Sequence, residues 1–239
     1  MLGVATIGQS PRPDLVAAFG AFAPPGVRVT VRGALDDVPT EAIDALASHP
    51  TDYPLLVRLA DGTTRAIGRT WLHPFVVDAA QRLAADGVQA VVIACAGDFP
   101  DVALGVPVVL PGRVIPDIAR ALCASRRVGV VTPIREQVAA ATAKWHADGF
   151  DPVVTWAAPD DDEALDRAAD LLRDADVQLV VLDCMGHADA AAQRLEARSG
   201  VRVLPAQSLC ARVAGELLRP PAPASAFTAI EDEHTPTRR

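Results

Sequence analysis

The chain of 239 residues carries 22 Lys and Arg against 30 Asp and Glu, a formal net charge of −8, and half of its residues are hydrophobic. That balance argues against a protein that coats nucleic acid, because phosphate binding is driven by clustered cations and here Lys144 is the sole lysine. No apolar stretch reaches the ~20 residues needed to cross a bilayer, and the N-terminal segment lacks the basic and apolar regions of a secretory signal, so a cytoplasmic protein with reduced thiols is expected.

Strand and helix signals alternate along the chain. A first strand over Leu2 to Ile7 runs into the turn Gly8-Gln9-Ser10-Pro11-Arg12-Pro13-Asp14, where two prolines impose an extended path before a helix over Leu15 to Phe22. A second strand spans Val27 to Gly33, and a short helix Glu41 to Ala47. Tyr53 to Ile67 alternates around Asp61-Gly62, a strong hairpin signal. Apolar residues recur at helical spacing from Thr70 to Asp86, with Gly87 placed as the stop.

Next comes Ala90-Val91-Val92-Ile93-Ala94-Cys95-Ala96-Gly97, a run that reads as a buried parallel strand ending in cysteine and a glycine turn. The pattern returns as Leu179-Val180-Val181-Leu182-Asp183-Cys184-Met185-Gly186. Gly3-Val4-Ala5-Thr6 likewise returns as Gly129-Val130-Val131-Thr132, and Val106 to Pro111 as Val201 to Pro205. Three strand types repeated in one order predict two related lobes.

Between these copies, a helix is expected over Val114 to Leu122 and a strand over Arg127 to Val131. A helix follows from Thr132-Pro133 to about His146, then a strand over Pro152 to Ala157. The acidic run Asp160 to Glu163 reads as a solvated helix start rather than a metal site, leading into a helix over Ala164 to Asp174. The last helix, Ser208 to Leu218, could return across the first lobe. The expected fold class is α/β, with two pseudo-symmetric lobes, each a parallel sheet flanked by helices, and a site in the cleft between them. The expected division is residues 1–115 with 207–219, then 116–206, with 220–239 a disordered tail.

Ligands in such sheets bind beyond the carboxyl ends of the strands, which places Cys95 and Cys184, with the turn glycines Gly97 and Gly186, next to substrate space. Beside them, Thr6, Gln9, Ser10 and Arg12 after the first strand, and Thr132 and Gln137 at the related place in the second lobe, are candidates to hold a carboxylate. Asp183 and His187 flank Cys184 and could tune its thiol or cap the following helix; Asp98 is a weaker candidate of the same kind. Cys123 and Cys210 read as core residues, and Trp71, Trp145 and Trp156 as packing. No CxxC pair or zinc-ligand spacing is present, so no metal is expected.

The segments Thr6 to Arg12, Cys95 to Phe99, Thr132-Pro133 to Gln137 with Lys144-Trp145, and Leu182 to Gly186 together resemble the AroM family over residues 2 to 218. That family is similar to the aspartate/glutamate racemase superfamily, and the resemblance implies two cysteines on opposite faces of a small anionic organic substrate, acting without a cofactor. It implies a racemase, epimerase or isomerase of a carboxylate-bearing carbon acid. Alternatives are a decarboxylase or lyase on the same two cysteines and a non-catalytic small-molecule-binding protein. In the amino-acid racemases Asn-Thr follows the first cysteine and Thr-His the second. Here Ala96-Gly97 and Met185-Gly186-His187 follow, which argues against an ordinary amino-acid substrate. Neither nucleic acid nor membrane is expected as a partner; homo-oligomer formation is left open.

Overall fold

The computed structural model describes residues 1–51 and 53–219; the expectation for the tail lies outside the described residues. Strand β1 (Leu2–Thr6) leads to helix α1 (Pro13–Gly20), strand β2 (Val29–Gly33) and helix α2 (Thr40–Ser48). A hairpin follows, β3 (Pro54–Arg58) and β4 (Thr64–Gly68), then α3 (Arg69–Ala85), β5 (Ala90–Ala94), the two-residue β6 (Val108–Val109) and α4 (Pro111–Leu122). The second half runs β7 (Arg127–Thr132), a single 3₁₀ turn (Arg135–Gln137), α5 (Val138–Ala147), β8 (Asp151–Trp156) and α6 (Asp162–Arg173). It closes with β9 (Leu179–Leu182), α7 (Asp189–Ser199), β10 (Val203–Pro205) and α8 (Ala206–Leu217).

The strands form two parallel sheets of four, in the orders β2-β1-β5-β6 and β8-β7-β9-β10. The orders superimpose when β1, β2, β5 and β6 are matched to β7, β8, β9 and β10, the correspondence that the repeated segments suggested. The register follows it too. Thr6 pairs with Ala94, and Val131 pairs with Leu182 while the Asp183 amide bonds the Val131 carbonyl. Cys95 and Cys184 therefore occupy equivalent positions, one residue past the partners of Thr6 and Thr132.

Period-two alternation decides which side chains meet. Leu2 and Val4 of β1, Ala90 and Val92 of β5, Val128 and Val130 of β7, and Leu179 and Val181 of β9 all point into one core shared with α1, α4, α5 and α8. The opposite faces fill separate cores: Ala5, Val91 and Ile93 pack under α2, α3 and the hairpin, whereas Val131, Val180 and Leu182 pack under α6 and α7. Because the inner core takes side chains from both sheets, the two sheets are held with their carboxyl ends toward one space. Helix α8 packs on α1 and β5 of the first sheet and on β10 of the second.

Differences from the sequence expectations are local. Helix α1 starts at Pro13 and α4 at Pro111, ahead of the expected Leu15 and Val114, because proline suits the first turn of a helix. Helix α7 has no counterpart among the sequence expectations: its buried side is only Ala192, Leu195 and Ser199, too small an apolar stripe to signal a period. No helix among the described residues is long and apolar enough to cross a membrane.

Candidate active site

The carboxyl ends of β1, β5, β7 and β9 and the hairpin enclose a cavity of about 330 Å³. Of the residues singled out from the sequence, Thr6, Arg12, Cys95, Gly97, Thr132, Gln137, Asp183, Cys184 and Gly186 line it. Gln9 and Ser10 do not. The Gln9 amide group spans from Leu35 O (3.1 Å) to the Ala60 amide (3.0 Å), and the Ser10 amide and hydroxyl bond the Asp36 carboxylate at 2.6 and 2.9 Å. Both side chains hold the first turn against its neighbours. His187 also lies outside the cavity wall: it is 1% exposed, its Nε2–H donates to Ala157 O (3.2 Å), and its Nδ1 has no partner among the described residues. Cys123 and Cys210 are fully buried core residues.

The two thiols have matched surroundings. The Gly97 amide donates to Cys95 Sγ (3.4 Å) and the Gly186 amide to Cys184 Sγ (3.3 Å), a contact that stabilises negative sulfur. Burial opposes it and prevails, pushing the Cys95 thiol up to about 12 and the Cys184 thiol up to about 11. Cys184, only partly buried, is the easier of the two to ionise, and the Arg12 guanidinium is among the groups that favour its thiolate. The charge of Cys184 is among the influences that raise Cys95, and both residues line the one cavity. Gly112 at the start of α4 keeps the first thiol loop in place: a Cβ there would lie 2.4 Å from Gly97 O, so only glycine admits this approach.

Arg12 is itself fixed. Its Nε and Nη2 donate to the Asp14 carboxylate at 2.8 and 2.5 Å, and Nη1 donates to Thr6 Oγ1 at 3.3 Å. A guanidinium carries five N–H groups, so two remain for a ligand oxygen. Across the cavity, Gln137 Nε2 donates to Pro54 O of the hairpin (2.7 Å), clasping the second lobe to the first. Thr132 is turned inward, its hydroxyl bonded to backbone oxygens of Ile134 and Thr155.

Tyr53, passed over in the sequence reading, lines the cavity from the hairpin, with the Arg69 guanidinium over its ring (5.5 Å to the centroid). Burial raises its hydroxyl above the ordinary tyrosine value, and the charges of Asp183 and Cys95 raise it further. A sequence signal existed in its being the single tyrosine of the chain, just ahead of the Asp61-Gly62 hairpin signal. Among the described residues, no group of three or more His, Cys, Asp or Glu is arranged to hold a metal ion.

His187 yields a pH dependence. Burial lowers it from 6.5 to about 4, so the folded chain holds it neutral where the unfolded chain begins to protonate. Its contribution is complete above the unfolded value and disappears as pH falls from 6.5 toward 4, up to about 3.5 kcal/mol at ~1.4 kcal/mol per unit. Denaturant midpoints measured at neutral pH and near ~4.5 should drop steeply for the native chain and less for His187→Gln.

Two parallel sheets thus face one cavity, with a strand-end cysteine from each. The chain belongs to the AroM family: the family model, described as AroM protein, matches residues 2–218. No curated protein matches the sequence. Among solved structures, a liganded double mutant of arylmalonate decarboxylase is 19% identical with a TM-score of 0.60, covering 92% of this chain and 93% of that one. Allantoin racemase from Klebsiella pneumoniae is 18% identical (TM-score 0.59, covering 93% and 94%). Glutamate racemase from Aquifex pyrophilus is 14% identical (TM-score 0.55, covering 91% and 84%). The shared property is the fold.

Proposed function

We propose that the protein is a cofactor-independent racemase, epimerase or isomerase of a small carboxylate-bearing carbon acid, with Cys95 and Cys184 as the acid/base pair. The observation that carries this reading is the equivalence of the two thiols: same register, same glycine amide, one cavity. The substrate carboxylate would take the free N–H groups of Arg12 and the Thr6 hydroxyl, leaving its α-carbon between the sulfurs. One cysteine, as thiolate, removes the α-proton, and the electron pair moves into the carboxylate to give an enediolate. The other, as thiol, returns a proton to the opposite face. Cys184 is the easier to ionise and so the first base.

The wall also contains Ile7, Leu15, Leu55, Leu56, Ala141 and Met185, a surface that suits an apolar substituent on the α-carbon. A second reading, decarboxylation, draws on the raised thiols, since a neutral thiol is a proton donor ready to quench the carbanion left by departing CO₂. Incubation of chiral α-substituted carboxylates in deuterated water separates the two. Deuterium at the stereocentre without loss of mass supports racemisation; loss of CO₂ supports the second reading. Neither result across a broad panel would count against both.

Thiol chemistry offers an independent check. Iodoacetamide followed by peptide mass spectrometry should modify Cys184 first, since it alone of the four cysteines is only partly buried, then Cys95, with Cys123 and Cys210 last. Equal labelling of all four would remove the support from the cavity thiols.

A further inference from the structure

The two thiol loops match, but the helices packed behind them hold those loops in different ways. In the first lobe Val109 of β6 pairs with Val92, and in the second Leu204 of β10 pairs with Val181. The third residue beyond each is the second residue of the next helix, Gly112 in α4 and Gln207 in α8. At Gly112 the helix backbone itself lies against the loop, where a Cβ would stand 3.1 Å from Ala96 O. At Gln207 a side chain takes over: its Nε2–H donates to Met185 O at 2.7 Å.

The Met185 carbonyl and the Gly186 N–H belong to one peptide unit. That unit is planar, so a bond that fixes its oxygen also fixes the direction of its N–H, and this N–H is the donor to Cys184 Sγ at 3.3 Å. A bond accepted by the oxygen polarises the unit as well, strengthening the bond its N–H gives by about 10–30%. In the first lobe, no hydrogen bond reaches Ala96 O from the described residues. Gln207 is 7% exposed, and its bond to Met185 is the one its side chain makes among the described residues. An apolar side chain would fill that space without burying an amide, so the bond to the loop is what sets Gln207 apart from core filling. Helix α8 rests on α1, α4 and β5, so the second thiol loop is held from the first lobe.

We infer that Gln207 is a positioning residue for the second thiol: by holding the Met185-Gly186 peptide through its oxygen, it keeps the Gly186 N–H on Cys184 Sγ and makes Cys184 the thiolate partner of the pair. This rests on the reading of the two thiols as the acid/base pair of a carbon acid. The charged and titratable groups facing Cys184 are Asp183 at its own strand end, Arg12 from the β1 turn and Cys95 from β5, with Cys210 of α8 a further buried thiol. None of them bonds Gln207 among the described residues, so a change there reaches the sulfur through the peptide.

The test reads each thiol separately, by iodoacetamide labelling of the full chain over neutral to mildly alkaline pH with peptide mass spectrometry. Gln207→Leu, and Gln207→Asn, which is a methylene too short to reach Met185 O, should each slow Cys184 about tenfold and carry its rate curve about one pH unit toward alkali. Cys95 should stay within about twofold, and Gln178→Leu, which removes an amide's bonds to Ser125, should leave both thiols unmoved. The bond itself is visible by infrared spectroscopy, because methionine labelled with carbon-13 at the carbonyl marks only Met1 and Met185. Gln207→Leu should move one labelled band to higher frequency and leave that of Met1, whose oxygen accepts the Gln89 amide, in place. Circular dichroism of each variant establishes folding. Unchanged or faster labelling of Cys184, equal slowing of both thiols, or an unmoved Met185 band overturns the inference. If the labelling and the band respond as expected while solvent-deuterium exchange survives in both Cys95→Ser and Cys184→Ser, the positioning of the thiol stands and the two-thiol chemistry fails.

Discussion

Exchanging Cys184 for serine should lower turnover by about 10³-fold, within the ~10²–10⁴ that a positioned acid/base group contributes, with the melting temperature little changed. Sulfur and oxygen differ little in size, but a serine hydroxyl is far too weak an acid to supply the base, and Cys184 is the thiol nearer to ionisation. Cys95→Ser should do the same to racemisation while leaving a telling residue of activity. With one thiol intact, the α-proton of one enantiomer can still leave and return on its own face. Deuterium would then wash into that enantiomer without inversion, and Cys184→Ser would show the complementary preference. A decarboxylase needs only one proton donor, so one of the two exchanges would be nearly silent.

The pH profile distinguishes the same alternatives. With Cys184 held near 11 by burial, the thiolate fraction of the free protein grows tenfold per unit through the neutral range, so kcat/KM for racemisation should climb with pH toward that value. Decarboxylation uses the protonated thiol, so its rate should stay flat over the same range and fall only as the thiol ionises.

The duplication was legible in the sequence because buried parallel strands leave unbroken apolar runs, and the two cysteine strands repeat one such run with its cysteine and glycine in register. Residues fixed by strand ends followed: Thr6, Thr132, Cys95 and Cys184 reach the cavity because the register carries them there. Side chains in the connecting turns were another matter. Gln9 and Ser10 sit at the right strand end, but Asp36, Leu35 and Ala60 compete for their polar groups and win, and those partners lie 26 and 51 residues away in sequence. Tyr53 escaped notice for the opposite reason. Alternation marked its segment as a hairpin, but nothing local tells that this hairpin folds over the strand ends instead of extending the sheet edge.

Trp145 ties the packing to the chemistry, and Trp145→Ala should be among the most destabilising single changes in the chain. The side chain is fully buried in the core shared by both sheets, and its ring meets Phe150 edge to face with centroids 5.1 Å apart. Deleting a buried aromatic of this size removes about 3–5 kcal/mol, through lost transfer energy and the cavity left behind. Trp145→Phe keeps most of the contact but takes away the N–H that Asp183 Oδ2 accepts. A half-buried carboxyl without its donor costs about 1–3 kcal/mol, and it has a second consequence in the site: the lost donor had favoured the ionised carboxyl, so Asp183 should hold its proton to higher pH. Chemical denaturation of both variants measures the first effect. For the second, the Asp183 carboxyl band in isotope-edited infrared spectra should titrate at higher pH in Trp145→Phe, whereas a tryptophan without influence on the carboxyl would leave it in place.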